Sequence, residues 1–212
     1  MAEPIGGAGS YRMLSGERSK FDDKRELLVL CARDLAERGD AGRVSVTDVT
    51  SAMGITRGLF YYYFDGKEEL GRSIADSYVR DLIEDVTHRV AEESDREVAI
   101  REVVAGVYQW LYEEEGQWRP MWRVVGALGL GDYVWRSASE GLAAVIVERG
   151  LLAKYRQADD ALIGEHARFV AVGILGECRL QPKAPIDMVA EAACASLRYR
   201  KRRREELDLE EA

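Results

Sequence analysis

Between Ser45 and Phe64 three helix signals lie so close together that few folds can hold them. Ser45 is an N-cap residue, and Asp48 three positions on makes an imperfect capping box, since Glu or Gln is the usual partner. Gly54 ends that helix, because a left-handed terminal residue costs glycine little. Ile55 is an apolar bridge, and Thr56 caps a second short helix that runs from Arg57 to about Tyr63. Val46, Val49 and Met53 form the inner face of the first helix. Phe60 and Phe64, four apart, turn inward from the second to pack a three-helix core. The third helix is expected from about Phe21 to Arg38, where Leu27, Leu28, Cys31 and Leu35 recur at helical spacing before a stop at Gly39. Two short helices joined by a glycine-centred link form a helix-turn-helix pattern.

The rest of the chain also reads as helical, and the fold class expected is all-α. From Lys67 to about Glu93, Leu70, Ile74, Tyr78, Leu82, Val86 and Val90 form one stripe of a long core-facing helix. Further helices are expected at about 95–114, 117–130, 132–156, 158–179 and 186–205, separated in part by Gly116, Gly131 and the segment from Gln181 to Pro185. Residues 1–20 read as a mobile arm and 206–212 as an acidic tail. No segment of note has strand periodicity.

Composition narrows the function classes. The net charge of -8 looks wrong for a nucleic-acid binder, whose footprint is expected to be basic. Residues 1–67, however, carry ten Lys/Arg and ten Asp/Glu, so the remaining 20 basic against 28 acidic residues hold the whole excess. The two parts are expected to meet different partners. No apolar run is long enough to span a membrane, and no signal-peptide core is present. Three cysteines at wide spacing fit a reducing cytoplasm better than a disulfide framework. His88 and His166 lack metal-ligand spacing, and neither a phosphate loop nor a nucleophile elbow occurs. Neither an enzyme nor a cofactor is expected.

The stretch Ser45-Val-Thr-Asp-Val-Thr-Ser-Ala-Met-Gly-Ile-Thr-Arg-Gly-Leu-Phe-Tyr-Tyr-Tyr-Phe, then Asp65-Gly-Lys-Glu-Glu-Leu, closely resembles the DNA-binding domain of TetR-family transcriptional regulators. The resemblance runs from about Leu27 to Leu70. Departures are few: Thr50 stands at a usually small Ala, Gly66 at a frequent Ser or Asn cap, and Asp34 at a common aliphatic position. Asp65 with Glu68 could cap the fourth helix instead, and Asp34 is expected to loosen local packing.

Physical roles at the head agree with the resemblance. Thr56 puts a hydroxyl and unpaired backbone amides near a phosphate. Arg57 can bind guanine O6 and N7 together, and Leu59 can meet a thymine methyl. Gly58 lets the helix approach the groove closely, against a propensity cost of about 1 kcal/mol relative to Ala. The family pattern assigns Tyr61 to a phosphate and Lys67 to another. Tyr62 reaches a phosphate or a base, whereas Tyr63 is at least as well explained by packing. Arg43, Ser45 and Thr47 complete the expected DNA-binding set, with additional help from Arg12, Arg18, Lys20, Lys24 and Arg25. So few basic residues imply a moderate salt dependence.

The acidic remainder is expected to sense and to dimerise. Trp110, Trp118, Trp122 and Trp135 fall within 26 residues, alongside Tyr108, Tyr112 and Tyr133. Two readings stay open: an aromatic-lined cavity for a lipophilic or planar effector, or ordinary packing of amphipathic helices. With His88, Tyr108, Trp110, Trp118, Trp122 and Trp135 are the candidate effector residues. Glu113, Glu114 and Glu115 read as a solvated helix end. The resemblance implies a two-fold four-helix interface from the last two helices, with His166, Phe169, Val170, Gly173, Ile174, Ala192, Ala193 and Leu197 as candidates. Arg198 to Arg204 reads first as a basic helix C-terminus that complements the macrodipole.

The expectation is therefore a cytoplasmic, nucleoid-associated homodimer: residues 21–67 bind double-stranded operator DNA, and 68–205 hold the effector and the dimer contacts. A repressor released by a small molecule comes first. A protein of the same fold without such a ligand, controlled by a protein partner or acting in chromosome organisation, remains the alternative.

Overall fold

The computed structural model describes residues 20–39, 44–113, 116–152 and 160–196. These form helices α1 (Lys20–Arg38), α2 (Val46–Met53), α3 (Arg57–Tyr63), α4 (Lys67–Arg89), α5 (Arg96–Leu111), α6 (Met121–Ala127), α7 (Gly131–Glu148) and α8 (Asp160–Leu180). Helical backbone resumes at 186–196. Among the described residues the strand-like pairing is an isolated antiparallel bridge between Tyr112 and Trp118. The fold is all-α, a small N-terminal helical domain followed by a larger one.

The chain divides into two compact units, one of residues 1–77 with 123–130, the other of 78–122 with 131–212. Helix α4 gives its residues up to Ser77 to the first and those from Tyr78 to the second.

In the first unit, Leu28, Ala32, Ala36, Val49, Phe60, Phe64, Leu70 and Ile74 are buried. The caps expected around α2 and α3 are present. The Ser45 hydroxyl accepts from the Asp48 N–H, the Asp48 carboxylate accepts from the Ser45 N–H at 2.8 Å, and Gly54 closes α2 at φ 62°. Asp48 is therefore an adequate capping-box partner despite its short side chain. The Thr56 side chain caps α3 by accepting from the Leu59 N–H. At α4 the expected partner shifts by one residue: Glu69, rather than Glu68, reaches back to the Asp65 N–H at 2.6 Å. Thr50 is buried without loss, since its hydroxyl donates to the Thr47 carbonyl at 3.1 Å. Asp34 pairs with Arg38 at 2.8 Å along α1.

In the second unit Tyr78, Leu82, Val86 and Val90 continue the buried stripe. Helix α8 packs on α7 and α5. Small residues allow two close crossings. A side chain at Gly106 would meet Val86 Cγ2 at 2.7 Å, and one at Gly141 would meet Ile83 Cδ1 at 2.7 Å. Asp95 caps α5 by accepting from the N–H groups of Glu97 and Val98.

Several helices are shorter than their periodicity predicts. Helix α4 ends at Arg89 rather than Glu93, and α5 at Leu111 rather than 114. The expected helix at 117–130 is confined to Met121–Ala127, because the Glu113 N–H donates to the Gln117 carbonyl and the Arg119 N–H to the Leu111 carbonyl, closing a turn. Gly131 does not break the chain but begins α7; the break is at Gly129, φ 67°. Helix α7 stops at Glu148 before Gly150, φ 60°, well short of 156.

Candidate nucleic-acid interface and sensor site

Helix α3 divides cleanly. Phe60 and Tyr63 are buried, while Tyr61 and Tyr62 are 56% and 67% exposed. Tyr63 thus packs, and its ring meets that of Tyr62 edge-on at 5.2 Å. Thr47, Thr56, Arg57, Gly58 and Lys67 are exposed with the two outer tyrosines, and Leu59 is half-buried. The Arg57 guanidinium donates to the Thr47 hydroxyl, so the first side chain of α3 is already held against α2. The hydroxyls of Ser45 and Thr56 accept in their caps, and that of Ser45 donates to Asp48 as well. The Asp48 carboxyl is kept below its ordinary range by the Ser45 hydrogen bonds and by the charge of Lys67. Arg43 lies outside the described residues, as do Arg12 and Arg18 of the arm.

Gly58 is informative by what does not constrain it. Among the described residues a side chain there would meet nothing nearer than the Thr56 hydroxyl at 3.9 Å. Neither packing against the described residues nor backbone conformation requires glycine at this helical position.

Arg25 takes a different place from the DNA-facing role expected for it. Its guanidinium donates to Ser73 at 2.9 Å and Glu69 at 3.1 Å, and sits 4.7 Å above the Phe64 ring. It ties α1 to the start of α4. Glu69 is held below its ordinary carboxylate range, first by the Asp65 N–H and then by Arg25. Arg123 was not singled out by periodicity either. It donates to the carbonyls of Glu37 and Gly39, satisfying the open C-terminal end of α1. The legible signal for the α1–α4 tie was Ser73 and Ser77, small polar residues on an otherwise apolar face that require donors or acceptors when buried. Arg33 donates to Ser77 in the same way as Arg25 does to Ser73.

In the second unit the four tryptophans, Tyr108 and Tyr112 form one connected cluster. Trp122 stacks on Trp135 at 4.9 Å with planes 18° apart, and the Trp110 and Trp118 rings meet Trp122 edge-on at 5.1 and 5.6 Å. Tyr112 joins through Trp118 at 4.7 Å and Tyr108 through Tyr112 at 6.2 Å. The Arg179 guanidinium lies 4.8 Å from the Trp135 ring centre. Trp110 is buried, and its indole N–H donates to the Tyr78 carbonyl at 2.9 Å. His88 is exposed near the end of α4 and has no ring contact in this cluster among the described residues.

Beside the cluster lies an open groove of about 650 Å³, lined by Arg89, Ala105, Tyr108, Gln109, Tyr112, Glu113, Gly116, Arg119, Pro182 and Ile186. Both tyrosine hydroxyls are engaged: Tyr108 donates to the Gln181 carbonyl at 2.9 Å, and Tyr112 to those of Cys178 and Arg179 at 3.2 Å. Burial pushes Tyr108 up to about 12 and the Cys178 thiol up to about 12. Arg89 is neutralised by Asp85 and Glu102. Glu113 is exposed, and Glu114 and Glu115 lie outside the described residues.

The dimer candidates separate by side. Phe169 is 70% exposed, and Gly173 and Ala192 are exposed with it, next to the outward Leu162, Val172 and Leu180. Val170, Ile174, Ala193 and His166 are buried within the chain's own fold. Helical periodicity marks both faces of α8 as apolar without saying which one the chain covers itself. Leu197 and the run from Arg198 to Arg204 lie outside the described residues.

With this geometry in place, the sequence model of the bacterial regulatory proteins of the tetR family matches residues 28–74, the segment that builds the head. That segment belongs to the N-terminal domain of the tetR family. It is a helix-turn-helix DNA-binding domain, built here by α2 and α3. Solved structures share the chain's fold. The TetR-family repressor AlkX from Dietzia sp. strain DQ12-45-1b, implicated in n-alkane biodegradation, is 17% identical, with 89% of this chain and 98% of that one covered and a TM-score of 0.59. A candidate transcriptional regulator from Pseudomonas aeruginosa PAO1 is 18% identical over 88% and 96% of the two chains, with a TM-score of 0.53. RolR, in complex with resorcinol, is 20% identical over 84% and 89%, with a TM-score of 0.51. No curated protein matches the sequence. Among the described residues no helix is long and apolar enough to cross a membrane.

Proposed function

We propose that this TetR-family regulator is a repressor that binds a palindromic operator as a homodimer and is released by a small planar or lipophilic effector, acting in the cytoplasm at the nucleoid. Gly58 carries the DNA reading. Its open surroundings leave close approach to another molecule as the reason for a residue that costs helix stability. Around it Thr47, Thr56, Arg57, Tyr61, Tyr62 and Lys67 offer hydroxyls and cations, the groups that contact phosphates and base edges. The exposed α8 stripe of Leu162, Phe169, Val172 and Gly173 supports self-association through a self-complementary apolar face. Two such heads read half-sites about 34–36 Å apart, or a multiple of that spacing. Effector and operator then compete through one conformational equilibrium, the effector favouring the conformation with misplaced heads. The connected aromatic residues and the adjoining groove support a planar ligand, as does the aromatic diol held by RolR.

Selection of genomic fragments by the full-length protein at low salt tests this reading. The expected product is a palindromic motif whose binding weakens at higher salt and whose preference at one base position is relaxed in the Arg57→Ala variant. Recovery of fragments with no common motif would overturn it.

A further inference from the structure

The indole N–H of Trp122 is buried and has no acceptor within hydrogen-bond reach among the described residues. The contrast with Trp110, whose N–H is satisfied by the Tyr78 carbonyl in the same cluster, is informative. A buried donor left unmade pays its full desolvation cost, and indole N–H groups normally find a partner when buried. The Trp122 ring itself is fully committed: one stacking contact with Trp135 and two edge contacts hold it in place. Rotating the side chain to seek an acceptor would break all three. The donor is thus fixed in direction by the packing around it.

Aromatic rings alone separate this donor from the groove. Trp118 is 45% exposed and touches Tyr112 on one side and Trp122 on the other. Tyr112 also lines the 650 Å³ groove. Since the Tyr108 and Tyr112 hydroxyls are engaged by backbone carbonyls, these residues offer ring surface to an occupant rather than donors. The described charges along the groove have no single sign: Arg89 is neutralised by its two carboxylate partners, and Arg119 and Glu113 carry opposite charges. Among the described residues nothing there favours an ion strongly enough to offset its desolvation among aromatic rings.

We propose that Trp122 Nε1 is the hydrogen-bond donor of the effector site. Its ligand is an uncharged planar molecule that enters from the groove past Trp118 and presents a ring nitrogen or carbonyl oxygen as acceptor. This rests on the effector reading above and names the chemistry that the effector must have.

Naphthalene and quinoline share one shape and differ in a single acceptor nitrogen, and quinoline is uncharged at neutral pH. In full-length protein labelled with ¹⁵N-tryptophan, quinoline should move the Trp122 indole N–H signal downfield, and naphthalene should not. By calorimetry, the ratio of quinoline to naphthalene affinity should fall up to about tenfold in Trp122→Phe, the factor expected for one neutral hydrogen bond. An unmoved Trp122 signal at saturating quinoline, an unchanged ratio, or no binding of either probe would overturn the proposal. Operator binding, followed in the same samples, separates the two claims. Release of DNA by quinoline with Trp122 unmoved overturns this site and leaves effector control standing. A Trp122 response with operator affinity unchanged supports the site and removes effector control.

Discussion

A methyl group at position 58 fits without displacing any described residue, which separates the folding role of that residue from its binding role. Gly58→Ala should raise stability by up to about 1 kcal/mol through helix propensity and weaken operator binding. Thermal unfolding and fluorescence anisotropy read the two effects separately; equal binding would remove the close-approach argument. The cationic and hydroxyl residues around it should also behave differently from one another. Lys67→Ala and Tyr61→Phe should weaken all DNA sequences alike, whereas Arg57→Ala should relax preference at one base position by about 1–3 kcal/mol. A uniform loss in Arg57→Ala would reduce Arg57 to a backbone contact. That outcome has a structural route, because Arg57 already donates to Thr47 and would have to share or exchange that bond to reach a base.

At the level of helices, caps and crossings carry the consequences. Ser45 both accepts from Asp48 and anchors its carboxylate, so Ser45→Ala should cost about 1 kcal/mol. Asp48 is held low by those same bonds. Its contribution is present above the ordinary carboxylate range and is lost as pH falls through its lowered value. The deficit of Ser45→Ala, measured by urea unfolding, should accordingly shrink in acid. The glycines at the α4 crossings allow less. Gly106→Ala and Gly141→Ala place a methyl within 2.7 Å of Val86 and Ile83, and overpacking of this kind typically costs about 1–3 kcal/mol. Both should lower the unfolding midpoint, in contrast to Gly58→Ala.

For the whole molecule, the two apolar faces of α8 imply different failures. Phe169 is outward, so Phe169→Glu should leave the protomer folded and shift it toward monomer in sedimentation. Val170→Glu, at a position buried inside the chain, should instead unfold it. Alkaline pH probes the second unit. Cys178 and Tyr108 are raised from 9.0 and 10.0 to about 12 in the folded chain, principally by burial. The unfolded chain therefore releases these protons first. Stability is intact below about pH 9 and declines as pH rises toward 12. The denaturant midpoint should fall between pH 8 and pH 10.5, with a flatter slope in Cys178→Ala.

Much of the head was legible because its determinants are local. Ser45, Gly54 and Thr56 act within three or four residues of themselves, and Phe60 and Phe64 declare their face by spacing alone. The buried stripe of α4 was visible for the same reason, since a period of 3.6 needs no partner to be recognised. The matched motif added Tyr61 and Lys67, which exposure and charge by themselves would not separate from other surface residues. What lies between distant segments was decided by tertiary structure. Arg25 and Arg123 look like free surface cations in the sequence, yet one clamps Ser73 and Glu69 and the other closes the end of α1. The turn at 112–119 replaced a predicted helical start through hydrogen bonds between residues on either side of it. The four tryptophans announced a cluster but not its wiring. Trp110 finds a carbonyl 32 residues away and Trp122 finds none among the described residues. Helical periodicity specifies which side of an element is apolar. Only the packed chain determines which apolar sides it covers itself, which polar groups those contacts satisfy, and which donor they leave for something else.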